Sequence, residues 1–184
     1  MIKAFTNVNE LNKELRTILM KQAELDGQYV RNALSTFGET LDKLLFKQTY
    51  DTISPCDQLM LFELRSRQNK ADVSMTEADD SVTFYKSYEL YVIVYGENAA
   101  DVMNKLIARL RTQAVRLQLI DLGIFLEEVG NDNSLNEFKN NVMFHRHDCS
   151  INISCRFSVE QIESDYLMES ADIDLIEQGD SNNE

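Results

Sequence analysis

The segment "HRHDC", residues 145 to 149, holds the side chains best suited to binding a metal. In an extended segment, residues two apart point to the same face, so His145, His147 and Cys149 would present two imidazoles and a thiolate together. Such a set can ligate zinc, but structural zinc sites take four protein ligands. The alternative is two surface histidines beside a small, half-buried cysteine. We expect this alternative, with no metal and no other cofactor.

Other catalytic chemistry has little support in the sequence. A nucleophilic Ser or Cys needs a base, and the chain's two histidines both lie in this segment. Adjacent acids such as Glu127 and Glu128 point to opposite faces of an extended chain. None of the six glycines belongs to a G-x-G-x-x-G or G-K-[ST] phosphate-binding motif. We predict that the protein is not an enzyme.

The negative charge is concentrated towards the C-terminus. The net charge is −13, and residues 160–184 contain nine acids and no base. Such a block is typical of a solvated extension, although the apolar residues within it would also suit an arm that orders against a neighbour. It argues against tight binding of free duplex DNA, because phosphate affinity comes from Lys and Arg.

Length and composition indicate an ordinary globular protein. We expect one domain over residues 1–159 and an acidic extension over 160–184, since the 184 residues are 43% hydrophobic. An odd count of three cysteines, at spacings unlike a disulfide framework, favours a reducing compartment. We see no secretion signal and no long apolar run, and expect no membrane partner.

Apolar periodicity predicts three helices and four strands. A capping-box-like Asn7–Glu10 begins the first helix, Pro55 ends the helical pattern, and Asn98 is the expected cap of the third helix. The helices are expected at about 8–24, 28–46 and 98–118, and the strands at about 57–67, 81–95, 121–129 and 147–159. The strand at 81–95 has apolar residues on both faces, which predicts a central strand covered on two sides. The third helix is expected to bury Val102, Met103, Leu106, Ile107, Leu110 and Ala114. This order predicts an α+β fold: a β-β-α-β-β core after two N-terminal helices, forming a mostly antiparallel four-stranded sheet covered by helices.

Several segments between residues 30 and 159 resemble the tail-terminator or neck-terminator proteins of tailed bacteriophages. These segments are "VRNALSTFG", "LMLFELRSR", "YELYVIVYGENAADVMNKLIARLRT", "LGIFLEEVG" and "FHRHDCSINISCRF". In that family a strand ending in Tyr-Gly precedes a helix opening with Asn-Ala, and an Arg and an Asp precede a later alternating strand. The matching residues are Tyr95, Gly96, Asn98, Ala99, Arg146 and Asp148.

The resemblance implies a virion structural protein, assembled in the host bacterial cytoplasm and located in the tail or neck. It would form a ring with itself, commonly a hexamer, that caps the tail tube and joins it to the neck. Its partners would be the tail tube protein, neck and connector proteins, and a sheath protein if the tail is contractile. Duplex DNA would pass through the ring without sequence-specific binding.

Two long polar segments, 68–80 and 130–141, are expected to be loops, and loops of this length are often functional. In the implied ring we expect them to contact other subunits or a neighbouring ring. The candidate interface residues are Asp72, Glu77, Asp79, Asp80, Asn131, Asp132, Asn133, Arg146 and Asp148.

Three other functions are compatible with the sequence. A head-completion or connector protein of the same neck would make similar contacts. A small acidic regulator that binds a basic protein would be a monomer or dimer and would need residues 160–184. The third alternative is an enzyme or a zinc-binding module.

Overall fold

The structure, a computed structural model, describes residues 2–33, 45–48, 53–55, 58–67, 76–78, 81–139 and 142–160. The helices in these ranges are α1 (Val8–Ala23), α2 (Ala99–Leu110) and α3 (Gln113–Asp121). The strands are β1 (Val30–Asn32), β2 (Phe46–Gln48), β3 (Ile53–Pro55), β4 (Gln58–Ser66), β5 (Thr76–Ala78), β6 (Ser81–Gly96), β7 (Ile124–Val129), β8 (Asn133–Lys139) and β9 (Val142–Glu160).

The main sheet is built on a long antiparallel pair, β6 with β9, in which Ser81 lies opposite Glu160 and Tyr95 opposite Arg146. β4 and β5 pair with β6, β7 and β8 pair with β9, and β1 adds to β4 in parallel. β2 and β3 form a separate two-stranded sheet. The α+β class is therefore confirmed. The main sheet is mixed, with one parallel pair among antiparallel ones, and it has seven strands, so the predicted count of four strands is wrong.

The prediction of a helix at 28–46 is wrong at both ends, where the structure has strands. Val30–Asn32 is a strand, because the backbone pairs with β4; the Met60 N–H, for example, donates to the Tyr29 carbonyl at 2.7 Å. Phe46–Gln48 is also a strand. Residues 34–44 of this prediction lie outside the described residues.

The helix predicted at 98–118 is two helices. α2 ends at Leu110, and Thr112 begins α3 as its N-cap, its hydroxyl accepting from the Val115 N–H at 3.4 Å. Ala114, predicted to be buried on one continuous helix, is therefore exposed. Because α3 continues to Asp121, the strand predicted from 121 begins only at Ile124.

A glycine turn connects α3 to β7 and holds the N-terminal segment. Gly123 has a φ of +76°, a conformation that favours glycine, and a Cβ there would lie 2.2 Å from the Lys3 carbonyl oxygen. The Lys3 N–H donates to the Asp121 carbonyl at 3.0 Å, and the Phe5 N–H donates to the Arg156 carbonyl at 2.9 Å. The N-terminal segment thus extends the sheet beside β9.

One face of the main sheet, here called the first face, is covered by all three described helices. Its strand residues include Leu90, Val92 and Val94 of β6 and Cys149, Ile151 and Ile153 of β9, all of them buried. The buried stripe predicted for α2, Val102, Met103, Leu106, Ile107 and Leu110, packs on this face as expected. Apolar burial along this face is the main force that holds sheet and helices together.

The α1 N-terminus and the α1–α2 contact are stabilised by polar side chains. Asn7 accepts from the Glu10 N–H at 3.0 Å, and Glu10 reaches back to the Thr6 N–H at 3.0 Å, one residue beyond a standard capping box. Lys105 of α2 donates to Glu24 at 2.7 Å, and this hydrogen bond, together with Arg109, lowers the pKa of Glu24 to about 2.

Within the described ranges, no helix has the length and apolar character needed to cross a membrane.

Candidate interaction site

The opposite face of the main sheet, here called the second face, has a small apolar cluster of its own. Leu61 lies beside Ile93, and Leu59 beside Tyr95, across the β4–β6 pair. Leu59, Leu61 and Tyr95 are buried and pack with Phe144 of β9. The prediction that β6 is a central strand with apolar residues on both faces is therefore confirmed.

A buried carboxylate organises the polar part of the second face. The Asp148 side chain is 2% exposed and accepts two hydrogen bonds from Arg146, one from Nε at 2.8 Å and one from Nη2 at 2.7 Å. The Tyr91 hydroxyl donates to the same carboxylate. Hydrogen bonding to Asp148 raises the already high pKa of Arg146, so the guanidinium stays charged. A charge at such a depth is tolerated only when it is paired in this way.

Glu137 of β8 joins the hairpin formed by β8 and the start of β9 to this network. Its Oε2 atom accepts from the Tyr95 hydroxyl at 3.0 Å and from Arg146 Nη1 at 3.3 Å. Burial raises the pKa of Tyr95 far above neutrality, so its hydroxyl keeps its proton and remains a donor. These contacts tie β8 to β6 and β9 through side chains on the second face.

A groove of about 420 Å³ lies on the second face beside this network. Leu61, Ile93 and Tyr95 are among its apolar lining residues, and Arg65 and Arg146 among its charged ones. The Arg65 guanidinium lies 4.3 Å from the centre of the Tyr91 ring and is paired with Glu63 at 2.6 Å. The groove therefore combines an apolar wall with cationic groups that are already paired.

The segment 130–141, predicted to be a loop, is largely β8, so that prediction is wrong. β8 pairs with β9 from Asn133–Asp148 to Lys139–Val142, and among the described strands nothing pairs with its other edge. The hairpin leaves large apolar side chains in solvent: Leu135 is 48% exposed, and Phe138 and Met143, which lie opposite each other, are 66% and 54% exposed.

The turn that precedes β8 is held by charged side chains. Arg111 Nη2 donates to the carbonyls of Val129 and Gly130, both at 3.0 Å, and to Asn131 Oδ1 at 3.1 Å. Asp132 lies 2.8 Å from Nδ1 of His147. Asn131 and Asp132, two of the predicted interface residues, thus support the hairpin from within the subunit.

The remaining predicted interface residues are dispersed. Asn133 is exposed at the start of β8, opposite Asp148. Glu77 belongs to the short strand β5 and lies opposite Val82, so the described part of the segment 68–80, residues 76–78, is a strand and not the predicted loop. Asp72, Asp79 and Asp80 lie outside the described residues, as do residues 161–184 of the acidic extension.

The three residues considered as metal ligands have other surroundings. His145 lies 3.2 Å from the Asn136 side-chain oxygen, and His147 contacts Asp132. Burial raises the pKa of the Cys149 thiol to about 11, which disfavours the thiolate that a metal requires. Within the described ranges, no group of three or more His, Cys, Asp or Glu residues is placed to hold a metal ion.

The four residues of the Tyr-Gly and Asn-Ala pattern form the passage from β6 to α2. Tyr95 lies over the second face, and Gly96 adopts a φ of +126° at the end of β6. Asn98 occupies the N-cap position of α2, as predicted, but makes no capping hydrogen bond through its side chain. Ala99 is fully buried against the core.

Comparison with known families decides the identity of the chain. The family model described as "Phage neck terminator protein" matches residues 9–181. The chain belongs to the phage neck terminator protein family. It is therefore a structural protein of the phage neck, located in the virion, and it contacts other neck or tail proteins. A search of curated proteins found no match.

Sequence reasoning missed two features of this neck terminator. It did not identify the exposed apolar residues of the hairpin, Leu135, Phe138 and Met143. A local signal existed, because the paired residues Lys139 and Val142 are separated by Asn-Asn, and asparagine is frequent in two-residue hairpin turns. It also missed Tyr91 and Glu137 as partners of Arg146 and Asp148, and no local signal announces those contacts.

Proposed function

We propose that this neck terminator forms a closed ring, most simply of six copies, that caps the tail tube and joins it to the neck. DNA would pass through its centre, and the protein would make or break no covalent bond. The observation that carries the proposal is the family match over residues 9–181. The fold agrees with a structural role, since the polar cluster around Asp148 is paired within itself.

Ring closure requires two different complementary surfaces on each subunit, because every copy contacts its neighbours head to tail. The second face and the exposed β8–β9 hairpin are two distinct surfaces of this kind. Both involve Arg146 or its partners, so Arg146 and Asp148, two of the residues proposed for subunit contacts, lie at the junction of the two surfaces.

The charge of the chain suits the passage of DNA. Each subunit carries a net charge of −13, and negative groups around a channel repel the phosphates of duplex DNA. DNA would therefore slide through such a ring without adhering. Residues 160–184, with nine acids and no base, are the segment that we propose as a channel lining or as an arm to a neighbour.

The partners follow from the position of such a ring. One side would bind the last ring of the tail tube protein, and the other would bind a connector protein of the neck. A contractile tail would add the sheath protein. We propose that residues in the segments 68–80 and 130–141 take part in these contacts.

The proposal is tested by measuring the mass of the purified protein in solution and imaging it. Light scattering at increasing concentration should reveal a species several times 21.2 kDa, and negative-stain electron microscopy should reveal annular particles. Added to growing tubes of the phage's own tube protein, the ring should stop elongation at one end. A protein that stays monomeric at every concentration and leaves tube growth unchanged would disprove the proposal.

A further inference from the structure

We propose that the β8–β9 hairpin of one copy docks into the groove on the second face of the next copy, with Phe138 and Met143 as its apolar contacts. This inference rests on the proposed function, because it names the two surfaces that would close the ring. It commits to a second copy of this chain as the occupant of the groove.

The hairpin has the properties of a docking element. Phe138 and Met143 lie directly opposite each other on β8 and β9, and both are more than half exposed. A contiguous exposed apolar pair of this size marks an interaction site more often than an isolated apolar residue does. The position of the hairpin is fixed by Glu137, which binds Tyr95 and Arg146. The apolar pair therefore lies next to a residue that ties β8 to β6 and β9.

Within the described residues, the outer edge of β8 has little of the usual protection against association. Proteins shield edge strands with charges, bulges or side chains that block the backbone. β7 has a bulge between Leu126 and Glu128 and two adjacent glutamates. In β1, the Val30 carbonyl accepts a hydrogen bond from Arg16 Nε at 2.9 Å, so this side chain blocks the backbone. Among the seven residues of β8, the charged ones are Glu137, which is already paired, and Lys139 at its end.

The lack of unpaired acidic groups on both surfaces favours a second copy as the partner. Two chains of net charge −13 repel each other, so they can meet only where charges are absent or paired. The hairpin edge satisfies this condition from Asn133 to Phe138, and the Lys139 charge that follows would not repel an acidic partner. The groove satisfies it too, because Arg65 is paired with Glu63 and Arg146 with Asp148. The two surfaces can therefore approach each other without the repulsion expected elsewhere on the molecule.

The groove has a suitable size and lining. Its volume of about 420 Å³ lies within the range of protein pockets that accept groups of several heavy atoms. Leu61, Ile93 and Tyr95 offer apolar contacts for a phenyl ring and a thioether. Because the hairpin and the groove are different surfaces, their contact repeats from copy to copy and is compatible with a ring.

The first test changes the hairpin. The double variant Phe138→Ser, Met143→Ser should raise the concentration needed for assembly at least tenfold by light scattering. The matched control is Leu117→Ser, which removes an apolar side chain that is 54% exposed on α3, as Met143 is on β9. The control should assemble as the unmodified protein does. Circular dichroism establishes that each variant is folded.

The second test locates the contact and does not depend on losing assembly. In a Cys56→Ser background, one batch carries Phe138→Cys and another carries Ile93→Cys, leaving Cys149 and Cys155 buried. A short bismaleimide should join the two batches into a covalent dimer when they are mixed and assembled. Replacing the first batch with Leu117→Cys should yield at least tenfold less dimer.

Each result decides the inference. Cross-linking at the hairpin–groove pair, with loss of assembly in the double variant, supports it. Normal rings from the folded double variant, without the specific cross-link, would overturn it and leave the proposed function intact. If the double variant lost only its binding to tail tubes, the inference would also be overturned, because the hairpin partner would then be the tube protein. The proposed function would again be left intact. If the unmodified protein did not self-associate at all, both the inference and the proposed function would be overturned.

Discussion

Arg146 and Asp148, two residues apart on β9, form a two-point ion pair on the second face, with Nε–Oδ1 and Nη2–Oδ2 distances of 2.8 and 2.7 Å. The carboxylate is almost fully buried, whereas the arginine side chain is 24% exposed. Residues at this spacing on a strand share a face, so the pair can form without any change in the sheet. The arginine then reaches Glu137 and holds the hairpin.

Removing the buried carboxylate should destabilise the protein strongly. Asp148→Ala leaves the Arg146 charge and the Tyr91 hydroxyl without their partner, and we expect the free energy of unfolding to fall by about 3 kcal/mol. Urea denaturation measures this change. The control is Glu127→Ala, which breaks the exposed pair with Arg67 and should cost less than about 1 kcal/mol. Equal losses for both variants would contradict the assigned role of Asp148.

Gly123 should not tolerate a side chain. Gly123→Ala imposes a strained φ and brings a methyl group against the Lys3 carbonyl, so we expect a loss of at least about 2 kcal/mol. Gly27→Ala is the control, because its nearest obstacle is the flexible end of the Met20 side chain at 3.0 Å. In thermal unfolding, Gly123→Ala should lose more stability than Gly27→Ala. Hydrogen exchange should also show faster exchange at the Lys3 and Phe5 amides in the Gly123 variant, and an unchanged rate would argue against the packing of the N-terminal segment.

Removing the buried hydroxyl of Tyr88 should stabilise the protein. Tyr88 is 3% exposed, and its hydroxyl has no hydrogen-bond partner among the described residues. Tyr88→Phe keeps the ring and removes the unsatisfied atom, so the free energy of unfolding should rise by about 1 kcal/mol at pH 7. A decrease in urea denaturation would indicate that the hydroxyl has a partner in solution.

Alkaline pH should weaken the fold. Burial raises the pKa of Cys149 to about 11 and the pKa values of Cys155 and Tyr88 to about 12, from ordinary values of 9.0 and 10.0. The unfolded chain therefore loses these protons at lower pH than the folded chain does. Stability from these groups is complete below pH 9 and is lost between pH 9 and 12.

Urea denaturation between pH 8 and 11 checks this expectation. Tyr88→Phe should make the decline shallower above pH 10, because one of the three titrating groups is absent. A flat profile up to pH 11 would show that the three side chains are solvated in the folded state.

Buried thiols should also react slowly. In the Cys56→Ser background, Cys149 and Cys155 remain, and both are fully buried. At pH 8 we expect labelling by a disulfide reagent to be at least about 100-fold slower in the folded protein than in urea, since the thiolate is disfavoured and inaccessible. Rapid labelling of either thiol without denaturant would place it at the surface.

The sequence predicts the parts of the fold that have strong local periodicity. The strands around residues 58–66 and 81–96 and the alternation in β9 were found because their apolar residues recur on a fixed face. The break at Thr112 was missed because no Gly or Pro marks it. β1 was read as helix because three residues carry too little pattern, and their pairing with β4 is set by a distant segment.

The interaction site is predictable only in part. Arg146 and Asp148 were named from the family resemblance, but their contact with each other follows from β9 beginning at Val142, five residues earlier than the predicted start at 147. Glu137 reaches them through the register of β8 on β9, and Tyr91 through the register of β6 on β9. Strand register depends on packing across the whole sheet, and β8 has the polar composition of a loop, so neither contact could be read locally.

The long β6–β9 pair has a mechanical consequence. A 16-residue strand is about 50 Å long, and the backbone hydrogen bonds of an antiparallel pair lie across its length. A pull along the strands would load all of those bonds in shear at once, whereas a pull across one end would open them one after another. A subunit oriented with these two strands along the direction of tension would therefore resist rupture far better than one oriented across it.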